Sequence, residues 1–195
     1  SGHNNFIHNT AMDNRFGFVI SLSGSGGNVL RNNNMSRNSL NLKLFTTSVL
    51  SDLVQDIDPS NTVDGIPIYY WVNQRDKQVP SNAGYVAIIN STNITVKDSV
   101  LTKNGEGVLL VYTCASTIEN VTASDLLGDG VVLLRSDGNR VFSSTMNNNI
   151  RGVLIDRSND NIVLANTVAN NSNGIELEEG TNNIIYGNNV TDSRT

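Results

Sequence analysis

The chain has 195 residues, 38% of them hydrophobic, and a formal net charge of −5, which allows one sizeable domain with a real core. The acidic balance and the lack of any basic cluster argue against nucleic acid as a partner, and no apolar run reaches the roughly eighteen residues that a membrane span needs. The single cysteine, Cys114, excludes an internal disulfide framework.

Asparagine fills 31 positions and glycine 16, against only three prolines. Asparagine and glycine are turn formers, whereas a helical protein would spend its polar positions on Glu, Lys, Gln and Arg. The composition therefore predicts β structure with many turns.

In chain order, the first stretch, SGHNNFIHNT, opens in the middle of a pattern. With no signal peptide visible, it reads as a piece of a larger exported protein. NNFIHNTAMDN and GFVISLSGSGGNVLRNNNMSRN carry a loosely spaced repeat. Residues 45–82 interrupt it and are expected to form a β-rich excursion packed against the rest of a single 1–195 domain. Within them, Asp64-Gly65 has the composition of a tight hairpin turn. IPIYYWV follows with Tyr69, Tyr70 and Trp71, the most aromatic stretch of the chain.

From Gly84 onward the repeat is regular. Gly84, Gly107, Gly130, Gly152 and Gly174 each precede a short apolar run: GYVAII, GVLLVY, GVVLLR, GVLIDR and GIELEE. Each run leads to polar corners rich in Asn, and the period is about 22 residues. Leucine-rich repeats share that length but need leucines at fixed offsets and a helical segment. Several short β runs per period, divided by Asn, Gly and Asp corners, instead describe one coil of a parallel β-helix.

Stacked coils put like residues above like. Asn139, Asn161 and Asn183 share one offset from their glycines and are expected to form a ladder, since an asparagine tolerates a left-handed corner and both donates and accepts. Alternation with period two turns Val131, Leu133, Val153, Ile155, Ile175 and Leu177 inward. It turns Leu109, Val111, Val132, Leu134, Leu154, Asp156, Glu176 and Glu178 outward. Five of those eight are aliphatic, so a cover is expected over that stripe, with the 45–82 excursion the obvious candidate.

The pattern G-[IV]-x-L-x-x-S-x-x-N-x-I-x-x-N-x-[IV]-x-x-N, together with NTVDGIPIYYWVN and AGYVAIINSTNITVKDSVLTKN, resembles the NosD-like family of carbohydrate-binding and sugar-hydrolysis repeats, including surface proteins of archaea. The resemblance spans most of residues 17–195. It implies an exported right-handed parallel β-helix, with polysaccharide-acting relatives in some cases and a periplasmic copper-maturation role in others. Copper wants convergent Cys, Met or His; His3, His8, Cys114 and three scattered methionines do not supply that pattern, so no metal or other cofactor is expected.

Candidate carbohydrate contacts are Tyr69, Tyr70 and Trp71, as stacking faces, and a column of Arg135, Arg157 and Glu179 with Asp156, Glu176 and Glu178 nearby. Asp125, Asp129 and Asp137 fall in corner sequences such as LLGDG and read as turn formers. No nucleophile elbow, phosphate loop or metal motif appears, so no catalytic residue is assigned.

The sequence thus favours a non-catalytic extracellular or cell-surface module with a structural, adhesive or carbohydrate-binding role. The alternatives are a polysaccharide lyase or hydrolase working beside Arg157 and Glu179, and a self-associating surface element. Six Asn-x-Ser/Thr sequons, at Asn34, Asn90, Asn93, Asn120, Asn170 and Asn189, suit an exported chain.

Overall fold

The structure, a computed structural model, describes residues 2–193. The chain winds into a parallel β-solenoid whose regular coils each contribute one strand to three sheets. In one coil these are Asp129–Leu134, Arg140–Phe142 and Thr145–Asn147; in the next they are Arg151–Asp156, Ile162–Leu164 and Thr167–Ala169. Register is strict: Val131 pairs with Val153, Val141 with Val163 and Met146 with Val168. The three sheets run to nine, six and five strands.

Alternation places the core. Val131, Leu133, Val153 and Ile155 are fully buried inside the coil beside Val141, Met146 and Val163. Ile175 is only partly buried against the same core. Leu177, also expected inward, is 48% exposed because it lies on the last described strand of its sheet and has a packed coil on one side only.

The corners are made by non-glycine residues in the left-handed region, among them Arg135, Arg157 and Asn170 with φ of 49°, 49° and 57°. This is a costly conformation for most side chains, held here by pairing on both sides. Beneath the corners, buried asparagines bond from coil to coil. Asn139 donates its backbone N–H to Asn161 Oδ1 at 2.8 Å, and Asn161 does the same to Asn183 at 2.9 Å. Their side-chain amides add bonds to the same oxygens at 3.2 and 3.0 Å.

The N-terminal part forms irregular coils of its own. Asn5–Ile7, Val29–Arg31 and Asp56–Ile57 make a three-stranded parallel sheet, and Phe16–Ser21 pairs with Leu40–Phe45 in a separate inserted two-stranded sheet. Within 45–82, the strands Thr62–Val63, Ile66–Val72 and Arg75–Gln78 join the nine- and six-stranded sheets. Thr62–Val63 and Ile66–Val72 pair antiparallel, with Val63 opposite Ile66. Asp64 and Gly65 turn the chain there with φ of 49° and 80°, the two-residue hairpin geometry that Asp-Gly favours.

The outward aliphatic stripe is covered within the chain. Leu109, Val111, Val132, Leu134 and Leu154 form a second core with Leu22, Leu42, Leu44, Leu53, Ile57 and Val63. Leu53, Ile57 and Val63 belong to 45–82, while the other three covering leucines precede it. The nine-stranded sheet is thus buried on both faces along much of its length, which accounts for its near-continuous apolar runs.

Candidate functional site

From Gly107 onward, the residue just before each coil glycine forms a column across the nine-stranded sheet. Glu106 is in register with Asp129, Asp129 with Arg151, and Arg151 with Asn173. Two rows further along the same outward face the aliphatic stripe gives way to acid: Leu154 is followed by Glu176, and Asp156 by Glu178. Against these stands the strand Leu40–Phe45, bonded edge to edge with the coil where Asn41 N–H donates to the Lys103 carbonyl and Gly105 N–H to that of Leu42. Beside that contact lies a cleft of about 380 Å³ whose walls include Lys43, Phe45, Glu106, Asp129, Arg151 and Glu178.

Arg151 organises its floor. Its Nε and Nη2 grip both oxygens of Asp129 at 2.7 and 2.9 Å, and its Nη1 reaches Glu176 at 3.4 Å and Glu178 at 3.8 Å. The bond to Asp129 holds the guanidinium even more firmly protonated than usual. Asn173 donates to Glu176, which with the shared hydrogen bond to Glu178 keeps the Glu176 carboxyl below its ordinary range; Glu178, on the other side of that bond, is held above its own. Arg157 makes a similar bidentate pair with the buried Asp156 at 2.9 and 3.0 Å and comes within 3.8 Å of Glu179.

Glu106 closes the inner end. It is 7% exposed, and burial lifts its carboxyl to about 7. The charge of Asp129 pushes the same way, while Lys43, the Tyr85 hydroxyl donating at 3.3 Å and the Leu44 amide oppose it. At the outer lip the Phe45 ring is 50% exposed, with Lys43 Nζ 5.0 Å above it. Lys43 and Phe45 also line a second, apolar groove of about 280 Å³ shared with Phe16 and Val19, so aromatic and charged surfaces run into one another.

Of the residues singled out in the sequence, Asp156, Arg157, Glu176, Glu178 and Glu179 meet at this cleft or its rim. Arg135 stands one coil away, its guanidinium 5.8 Å over the Tyr112 ring. The three aromatics of IPIYYWV do not share a surface, because alternation splits them. Tyr69 and Trp71 are in register with Val86 and Ile88 and face the coil interior, edge to face at 6.2 Å. Tyr70 points the other way, is 5% exposed, and donates its hydroxyl to the Leu53 carbonyl at 2.6 Å.

Sequence reasoning missed Lys43, Phe45, Glu106 and Arg151, and took Asp129 for a turn former. A signal was there: Glu106, Asp129, Arg151 and Asn173 all immediately precede a phase-setting glycine. Nothing in the sequence brings Lys43 and Phe45 to them.

The fold and cleft define a class, a parallel β-solenoid with asparagine-bonded corners and a charged groove on one outward sheet face. Residues 51–195 match the family described as "Periplasmic copper-binding protein (NosD)", and the chain belongs to that family. No curated protein and no solved structure matches it significantly.

The family's description implies copper, and the residues present do not fit it. Met35 and Met146 are sealed in the two cores. Cys114 is exposed, with Thr92 Oγ1 3.3 Å from its sulfur. His3 and His8 sit at separate left-handed turns of the first coil. Among the described residues no group of three or more His, Cys, Asp or Glu is placed to hold a metal ion, whereas a copper site needs converging nitrogen and sulfur donors.

Proposed function

We propose that the chain is an exported, non-catalytic β-helix module that holds an extended carbohydrate along the cleft between Lys43–Phe45 and the outward face of the nine-stranded sheet. The observation that carries this reading is the composition of the cleft: carboxylates and a guanidinium fixed by one another on the floor, and a half-exposed aromatic ring at the lip. Fixed acceptors and donors suit sugar hydroxyls at little entropic cost, and an aromatic face suits the C–H surface of a pyranose ring. Membership of the family and the expected export of the chain agree with an extracellular ligand of this kind.

Binding of a panel of soluble glycans, followed by calorimetry, tests it. Phe45→Ala weakens the best ligand about tenfold, or roughly 1.4 kcal/mol, while Phe142→Ala on another sheet leaves affinity unchanged. A panel without a single binder defeats the reading.

A second reading is glycosidic-bond cleavage in the same cleft. It is favoured by Glu106, whose carboxyl near 7 lies in register with Asp129 one coil on, since two neighbouring carboxyl groups, one of them raised by burial, are the pairing glycosidases use. New reducing ends that vanish in Glu106→Gln would establish it in place of simple binding.

A further inference from the structure

The fold sorts the six sequons into different environments. Asn93, Asn120 and Asn170 occupy exposed corners of three different columns, with φ of 54°, 50° and 57°. In each triplet the middle residue is an inward anchor: Ile94 and Val121 are 1% exposed and Asn171 3%. The coil therefore turns the asparagine and the Thr or Ser two residues later to the outside together.

The corner also orients the amide. Asn93 Nδ2 donates to Asp76 Oδ1 at 2.7 Å, and Asn120 Nδ2 to Asp98 Oδ1 at 2.8 Å. Each bond uses one of the two amide hydrogens, so replacing the other leaves the corner bond intact. The following coil is small at the matching corner, with Ala115 after Asn93 and Ser143 after Asn120.

The remaining three sequons are crowded by the following coil or lie outside the left-handed corners. Asn90 is followed at its corner by Tyr112, whose hydroxyl is bonded to the Ser48 carbonyl. Asn34 and Asn189 are not at left-handed corners; Asn34 is half-buried between two pairing strands, and its Oδ1 accepts a bond from Thr62 at 3.2 Å.

We propose that Asn93, Asn120 and Asn170 are acceptor sites for N-linked oligosaccharide, the bulky polar modification that Asn-x-Ser/Thr receives on exported surfaces. The donor is an oligosaccharide carried on a lipid phosphate or pyrophosphate. The asparagine Nδ2 bonds to the anomeric carbon, the bond from that carbon to the phosphate oxygen breaks, the lipid phosphate leaves with the electron pair, and the amide proton passes to base. Transfer precedes folding, so the folded coil accepts only glycans whose attachment points stay outside it. Asn93 lies at the start of the strand Thr92–Lys97 of the six-stranded sheet and Asn120 just past the end of Thr117–Glu119 in the same sheet, which leaves the charged cleft on the nine-stranded sheet clear. The proposal rests on the exported reading.

The chain is fused to a leader and secreted from a yeast that carries the transfer machinery, and glycopeptides are mapped by mass spectrometry. Occupancy is expected at Asn93, Asn120 and Asn170 and not at Asn34. Thr95→Val, Thr122→Val and Ser172→Ala each remove one glycan while the corner asparagine stays in place, which separates loss of the signal from loss of the fold. Secreted, folded chain bare at all three positions, or Asn34 occupied as fully as they are, overturns the proposal. In the native cells, a chain confined to the cytoplasm defeats the exported reading, whereas an exported chain without sugar at these corners defeats the glycan sites alone.

Discussion

Glu106 is a buried carboxyl group in the wall of the cleft. Its carboxyl is raised from 4.5 to about 7, first by burial and then by Asp129. The folded state therefore binds more protons than the unfolded state between those two values, and stability falls as pH rises through that window before levelling off. A rise of that size corresponds to roughly 3 kcal/mol. Urea denaturation across the window should show this decline, and Glu106→Gln, which keeps an acceptor for the Tyr85 hydroxyl without the charge, should flatten it. An unchanged slope in the variant would assign the pH dependence to other groups.

Arg151 is the other residue on which the cleft depends. Two carboxylate oxygens at 2.7 and 2.9 Å, with Glu176 and Glu178 beyond them, make it the counter-charge for a partly buried acidic floor. Arg151→Met leaves Asp129 buried without its partner and should cost about 3–5 kcal/mol, read as a drop in thermal midpoint.

At the scale of the coil, the asparagines beneath the corners join one turn to the next. Asn161 is fully buried; its Oδ1 takes two bonds from Asn139 and its amide gives one to Asn183. Asn161→Ala strands donors on one side and an acceptor on the other, and about 2–4 kcal/mol of destabilisation is expected from groups left unsatisfied in the interior. The coil glycines are constrained differently. A Cβ on Gly152 would stand 2.3 Å from Val168 Cγ1 and 2.6 Å from the Gly174 carbonyl, so Gly152→Ala forces adjacent coils apart. Hydrogen exchange should then quicken in Thr167–Ala169 and Asn173–Glu178 ahead of the rest of the chain.

At the scale of the molecule, the solenoid is one layer of a two-core structure. Leu42 and Leu44 close the second core over Leu109, Val132 and Leu134, and the same strand forms the far wall of the cleft. Leu44→Ala should cost about 2–5 kcal/mol and loosen the cleft with it. Dye binding to exposed apolar surface should rise, and ligand affinity should fall by a larger factor than in Phe45→Ala. Full affinity in a Leu44→Ala protein that has lost stability would show that the covering strand is not part of the binding site.

The sequence by itself determined the coil. A glycine every 22 or so residues, alternation in GVVLLR and GVLIDR, and Asp64-Gly65 between two apolar runs are local signals. Short-range sterics and burial turn them into register, an inward face and a hairpin with no help from distant residues. The stripe of Leu109, Val132 and Leu154 likewise announced that something must cover it. What covers it was decided only in the tertiary structure, because Leu42 and Leu44 meet that face across more than sixty residues of chain and carry no pattern that names their partner. The cleft belongs to the same category: periodicity brings Asp129 beside Arg151, but only the packing of one irregular strand across the sheet encloses them with Lys43, Phe45 and a buried Glu106. For the same reason Tyr69, Tyr70 and Trp71, adjacent in sequence, part company in space, since the period of two that builds the strand sends neighbouring side chains to opposite cores.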